Sequence, residues 1–234
     1  MKEIVMSATI AIDTRLHPIT ALRAVGRLLK NPDDTEQVFT IFRAMRGASV
    51  LWAFKRFAAS AAGGRLLAQR PSLLATLCDR DALRALPEGA LGRAYLAFME
   101  SENLTAEGLA AAAADTYDND PVAPDMAYYR LRTRDAHDLT HVMTGYGRDP
   151  LGETCLLAFM YAHTRNRGAA LIAALSFLKM NGAGRRAVRE AWRNGRKAVW
   201  FQNQNYEALL GRPLEDVRRD LNIVQPVLYH AASR

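Results

Sequence analysis

The sequence predicts an all-α fold, a multi-helix bundle in one domain. Three observations predict it. Ala, Leu and Arg dominate while β-branched runs are scarce, and that composition favours helix over strand. Apolar residues recur at helical spacing, as in Val38, Phe39, Ile41, Phe42, Met45, Val50, Phe54 and Phe57. Pro and Gly clusters then cut the chain into helix-sized pieces, and no run of alternating strands competes. With 234 residues, half of them hydrophobic, the chain can bury one generous core, so residues 1–234 are read as a single helical domain.

In chain order, helix is expected over 18–30, ending before Asn31-Pro32, and over 33–60, with Gly47 as its weak point and Gly63-Gly64 as its interruption. Shorter helices follow over 66–78 and 79–86, split by Pro71 and stopped by Pro87, then one over 88–100. Thr105 caps a helix over 106–114, and 118–124 is a loop. Residues 125–143 are helical, Gly145 to Pro150 turn, and 151–165 and 168–180 are apolar helices. Asn181 to Gly184 separate these from 185–201, and the last helix is 213–220.

Composition removes several function classes. The two cysteines, Cys78 and Cys155, form no C-x-x-C pair, which excludes a thiolate zinc site and favours a reducing compartment. No apolar h-region follows Met1-Lys2-Glu3, so no signal peptide is expected. The apolar stretch 168–178 is too short to span a bilayer as a helix. The formal net charge of +7 and pI near 9.7 suit nucleic acid, anionic headgroups or a phosphorylated substrate. Aromatics are not interleaved with Lys/Arg in a nucleic-acid module, and nucleic acid is not expected as a partner.

The informative segment runs from Arg134 to Glu153. His137 and His141 are four apart and share one helix face, with Asp138 at its edge. Gly145 and Gly147 let the chain reverse, which brings Glu153 back toward the same point. Two imidazoles and two carboxylates suit one divalent ion: zinc, iron, cobalt or manganese. Taken singly, such residues are more often ordinary polar ones. A metallopeptidase helix reads H-E-x-x-H, and Asp138 is one methylene too short for that role. A di-iron bundle needs two acid-x-x-His motifs, and His17, His163 and His230 supply no second one. A single ion is therefore expected, with His163 structural rather than a fifth ligand.

H-D-x-x-H, eleven residues, then Glu resembles the signature of the ubiquinone (coenzyme Q) biosynthesis protein 4 family. Other blocks resemble it in order: Gly64 to Pro71, Leu86 to Tyr95, Trp192 to Lys197, Asn205-Tyr-Glu207 and Pro213 to Ile223, so the family-like region spans about 64–223. The resemblance implies an all-helical fold, with His137, Asp138, His141 and Glu153 as metal ligands. It also implies oxidative decarboxylation of a prenylated benzoate precursor, the carboxyl at ring carbon one being replaced by hydroxyl. A second reading in the family is a non-catalytic lipid-binding scaffold that organises the other ubiquinone biosynthesis proteins. In the enzymatic reading Asp138 and His141 are the catalytic residues and Arg134 is a candidate for holding the substrate carboxylate. Expected partners are a prenylated quinone precursor, the other biosynthesis proteins, a membrane touched peripherally, and a second copy in a homodimer. The expected location is cytoplasmic at the inner membrane, or the matrix side if mitochondrial. Thr154-Cys155 and the turn Gly145-Tyr-Gly-Arg148 depart from the family pattern, which bears on substrate choice.

Two further segments matter. Residues 154–164 and 168–178 are almost continuously apolar, so they either bury in the core or line a tunnel for a prenyl tail. Between Arg165 and Lys197 nine Lys/Arg face one acid, Glu190. Arg185, Arg186, Arg189, Arg193, Arg196 and Lys197 form either a solvated face or a headgroup-facing patch.

Overall fold

In the computed structural model, residues 14–31, 34–108 and 122–233 are described, and their regular structure is helical, with one isolated β-bridge between Ala90 and Pro213. The all-α expectation holds. The helix expected over 106–114 lies largely outside the described residues; its start is seen, with the Gly108 N–H donating to Thr105 Oγ1 at 3.0 Å.

Local chemistry moves several boundaries. The stretch 33–60 is two helices, Thr35–Met45 and Ser49–Ala59, broken where Gly47 takes φ +53°. Gly63 and Gly64 do not interrupt: they lie inside Ala61–Gln69, and the break falls at Ser60, whose hydroxyl accepts from the Gly63 N–H. Asn181 likewise caps rather than separates, so Gly182–Lys197 begins at the glycines and ends short of residue 201. Two short helices were not legible in the sequence, Tyr206–Leu209 and Val227–Ala232.

The main core joins side chains from 73–99, 136–160 and 187–229, including Tyr95, Leu139, Met143, Tyr146, Phe159 and Phe201. At its centre Pro150–Thr164 packs on Gly182–Lys197. Ala187, Ala191 and Gly195 line the contact, and the backbones approach so closely that a Cβ on Gly195 would lie 2.3 Å from the Phe159 carbonyl oxygen. The Pro150–Thr164 helix therefore buries Cys155, Leu156, Ala158 and Phe159 in the core. The Arg167–Lys179 helix buries only Gly168, Ala169 and Ala173; Leu171, Ile172 and Leu175 pack partly against Ala24, Val25 and Ile41, and Leu178 is 67% exposed. The surplus apolar surface is thus on the outside of this helix.

Gly195→Ala should force the two central helices apart and cost about 1–3 kcal/mol. Gly182, with nothing within 4 Å of an added Cβ, is the control. Thermal unfolding should show a large drop in Tm for Gly195→Ala and none for Gly182→Ala.

Candidate metal centre

The stretch 125–143 forms two helices, Pro124–Asp135 and His137–Thr144, with a small bend at Ala136 (φ −78°, ψ 0°). The second carries His137, Asp138 and His141. It ends at Gly145, whose φ of +77° admits glycine easily and whose N–H returns to the His141 carbonyl at 2.8 Å. Asp149 then caps the next helix, accepting from the Leu151 and Gly152 N–H groups at 3.1 Å each, with Pro150 in the first turn. The turn between them is tight: a Cβ on Gly152 would meet the Gly147 carbonyl at 2.2 Å. These caps bring Glu153 opposite the histidines.

The decisive contact is between His141 Nδ1 and the Tyr146 carbonyl, 3.0 Å apart. A carbonyl can only accept, so Nδ1 carries the proton and Nε2 is left with a bare lone pair. That lone pair faces His137 Nε2 at 3.3 Å and Glu153 Oε1 at 3.5 Å. One ligand atom from each of His137, Asp138 and His141 lies within 4.8 Å of the others. With its proton on Nε2 the His137 ring donates to this lone pair; with its proton on Nδ1 two acceptors face each other, and a cation among them is what relieves the repulsion. Two ligands at about 2.0–2.1 Å from a tetrahedral ion stand roughly 3.3 Å apart, which is the spacing found.

Electrostatics agree. Desolvation first, then the charge of Arg148, lowers His137 to about 4. Desolvation and then His137 lower His141 to about 4, so both imidazoles are neutral at pH 7. Desolvation also raises Asp138, and it raises Glu153 to about 7 although 35% of that side chain stays exposed. Neutral nitrogens and destabilised carboxylates are what a cation would relieve.

Three residues around this cluster were not assigned roles in the sequence. Phe98 stacks on the His141 ring with centroids 5.8 Å apart. Arg148 holds its Nε 3.8 Å from Glu153 Oε1 and keeps an exposed guanidinium. Tyr229 receives the Gly147 N–H at 3.0 Å and donates to Asp149 Oδ2. Arg134, the sequence's candidate for the substrate carboxylate, is buried, and its guanidinium is taken up by Asp135 at 2.8–2.9 Å. His163 sits ten residues, about 15 Å along the helix, from Glu153, between Phe159 and Phe201.

The sequence model of the coenzyme Q (ubiquinone) biosynthesis protein Coq4 matches residues 15–227. The chain belongs to the Coq4 family. Among its relatives are the mitochondrial ubiquinone biosynthesis protein COQ4 homologue of Danio rerio, 29% identical over 91% of this chain and 79% of its own length. The mitochondrial COQ4 of Yarrowia lipolytica is 31% identical over 70% of this chain and 62% of its own. A crystal structure of a Nostoc punctiforme PCC 73102 protein assigned to ubiquinone biosynthesis shares the fold, with TM-score 0.66, 20% identity, and coverage of 89% of this chain and 99% of that one. The Coq4 match begins well before residue 64, so the first two described helices belong to the family region as well.

The shifted groups give a pH dependence for the metal-free protein. Both imidazoles are depressed, so the stability they contribute is full above about pH 6.5 and is lost as pH falls toward about 4. Glu153 is raised, so its contribution is full below about pH 4.5 and is lost as pH rises through about 7. His141→Gln should flatten the acid side of a Tm-versus-pH curve, and Glu153→Gln the neutral side; a Tm profile unchanged by both would contradict the burial described.

Proposed function

We propose that His137, Asp138, His141 and Glu153 hold one divalent metal ion, and that the chain acts in ubiquinone biosynthesis as a metal-dependent oxidative decarboxylase of a prenylated benzoate precursor. The observation that carries the metal reading is the pair of Nε2 atoms 3.3 Å apart, with the His141 tautomer set by the Tyr146 carbonyl. Membership of the Coq4 family supports the pathway and the substrate class. Held by these four residues, the ion would supply Lewis acidity toward the substrate's carboxylate or phenolate charge, and because replacing the carboxyl by hydroxyl is a two-electron oxidation, dioxygen or another two-electron acceptor with water must enter with the substrate.

The protein's own residues do the rest. His141 and Asp138 set the electrophilicity of the site, one neutral and one anionic. Arg148, exposed beside Glu153, is placed to take the substrate carboxylate, a role open to it because Arg134 is committed to Asp135. Phe98 shields the His141 face and keeps it dry.

The membrane reading draws on another face. Arg186, Arg189, Arg193, Arg196 and Lys197 are exposed on Gly182–Lys197, and Trp192, 41% exposed, carries Arg196 over its ring at 4.8 Å. Arg185 instead donates to the Phe177 and Leu178 carbonyls. With the apolar outside of Arg167–Lys179 next to it, this face combines basic, aromatic and aliphatic groups as an interfacial surface does. Among the described residues no helix is long and apolar enough to cross a membrane.

Metal analysis should find about one ion per chain, with steep loss in His141→Ala and Glu153→Ala. Asp138→Asn should fold and load under excess metal yet fail to turn over a prenylated hydroxybenzoate; full activity of this variant would leave the scaffold reading. Arg148→Ala should raise KM for the acid at least tenfold. Neutralising Arg186, Arg189, Arg193 and Arg196 should weaken binding to anionic vesicles, each charge adding on the order of 1 kcal/mol, and salt should weaken it in the unaltered protein.

A further inference from the structure

We infer that Tyr229 is a positioning residue for the metal centre: it holds the 145–149 turn so that Glu153 faces His137 and His141. The inference rests on the metal reading above and adds to it a residue from the far C-terminal part of the chain. The Tyr229 hydroxyl ties both sides of the turn. It accepts the Gly147 N–H at 3.0 Å, and it donates to Asp149 Oδ2. The other Asp149 oxygen accepts the Leu151 and Gly152 N–H groups, which form the first turn of the helix that carries Glu153. One hydroxyl therefore connects the middle of the turn that follows the His141 helix to the capping residue of the Glu153 helix.

The surroundings allow little else. Pro226 lies against Gly145, where an added Cβ would be 3.2 Å from its Cδ. The Tyr229 ring meets the Tyr146 ring edge-on at 5.6 Å, and Tyr146 supplies the carbonyl that sets the His141 tautomer. The Val227–Ala232 helix is itself anchored, because Glu190 Oε2 accepts the Leu228 N–H at 2.9 Å. The turn's own glycines give it no stiffness, so the hydroxyl restrains a segment that would otherwise sample other geometries. Removing it leaves the Gly147 N–H and an Asp149 oxygen without their partner, while a Phe ring keeps the packing.

The test is a double-mutant cycle read in metal affinity. Zinc dissociation constants are measured by chelator competition for the full chain, Tyr229→Phe, Glu153→Gln and the double variant, with Tm recorded for each. Tyr229→Phe should weaken zinc binding roughly 10- to 100-fold, as loss of a residue supporting a ligand does. In the Glu153→Gln background the same change should matter by less than about threefold, because the ligand it positions is already gone. Asp149→Ser keeps a capping oxygen for the helix start but lacks the second oxygen that Tyr229 meets, so it should repeat the pattern should Tyr229→Phe fold poorly. An equal loss in both backgrounds, or unchanged affinity in Tyr229→Phe, would overturn the positioning role while leaving the ligands in place. Unchanged affinity in Glu153→Gln would instead remove Glu153 from the ligand set, and the positioning role with it.

Discussion

The hydrogen bond from His141 Nδ1 to the Tyr146 carbonyl governs the site. It fixes the tautomer, aims Nε2 at His137 and Glu153, and does so from a backbone atom that no side-chain substitution at Tyr146 removes. It exists only because the chain reverses immediately after the His137–Thr144 helix. The left-handed Gly145, the Asp149 cap and the close approach of Gly152 to Gly147 make that reversal short enough. A longer turn would move the carbonyl away from the ring and Glu153 away from both imidazoles.

That turn is rigid because of what packs behind it. Pro150–Thr164 is held by Gly182–Lys197 at near backbone contact, and Val227–Ala232 docks across both, its first turn capped by Glu190. Glu190, the lone acid of the basic segment, thereby has a structural task. The same Gly182–Lys197 helix offers its opposite face, with Trp192 and the arginines, to solvent. One helix thus joins the support of the site to the exposed basic and aromatic surface proposed to meet a membrane.

Much of this was readable in the residues. The i, i+4 histidines with an intervening aspartate could be placed on one face from helical spacing alone, and the glycine turn announced the return of Glu153. The blocks that carried the family resemblance turn out to be contacts: Glu207 pairs with both terminal nitrogens of buried Arg132, Gly195 lets two helices touch, and Pro213 bridges to Ala90. Other features were hidden because they depend on tertiary neighbours. Gly63 and Gly64 read as breakers, yet a Ser60 cap makes them helical. Arg134 read as a candidate for holding the substrate carboxylate, yet its immediate neighbour Asp135 takes up its guanidinium and the core around it buries it. Tyr229 is 80 residues from Asp149 and has no local pattern that would connect them.

The central claim is that two imidazoles and two carboxylates surround one ion. X-ray absorption at the zinc edge of the zinc-loaded protein measures that shell directly. Nitrogen and oxygen neighbours at about 2.0–2.2 Å, with imidazole outer-ring scattering that diminishes in His141→Ala, are the result expected. A sulfur neighbour at about 2.3 Å, or a shell that stays the same in His141→Ala, would contradict it.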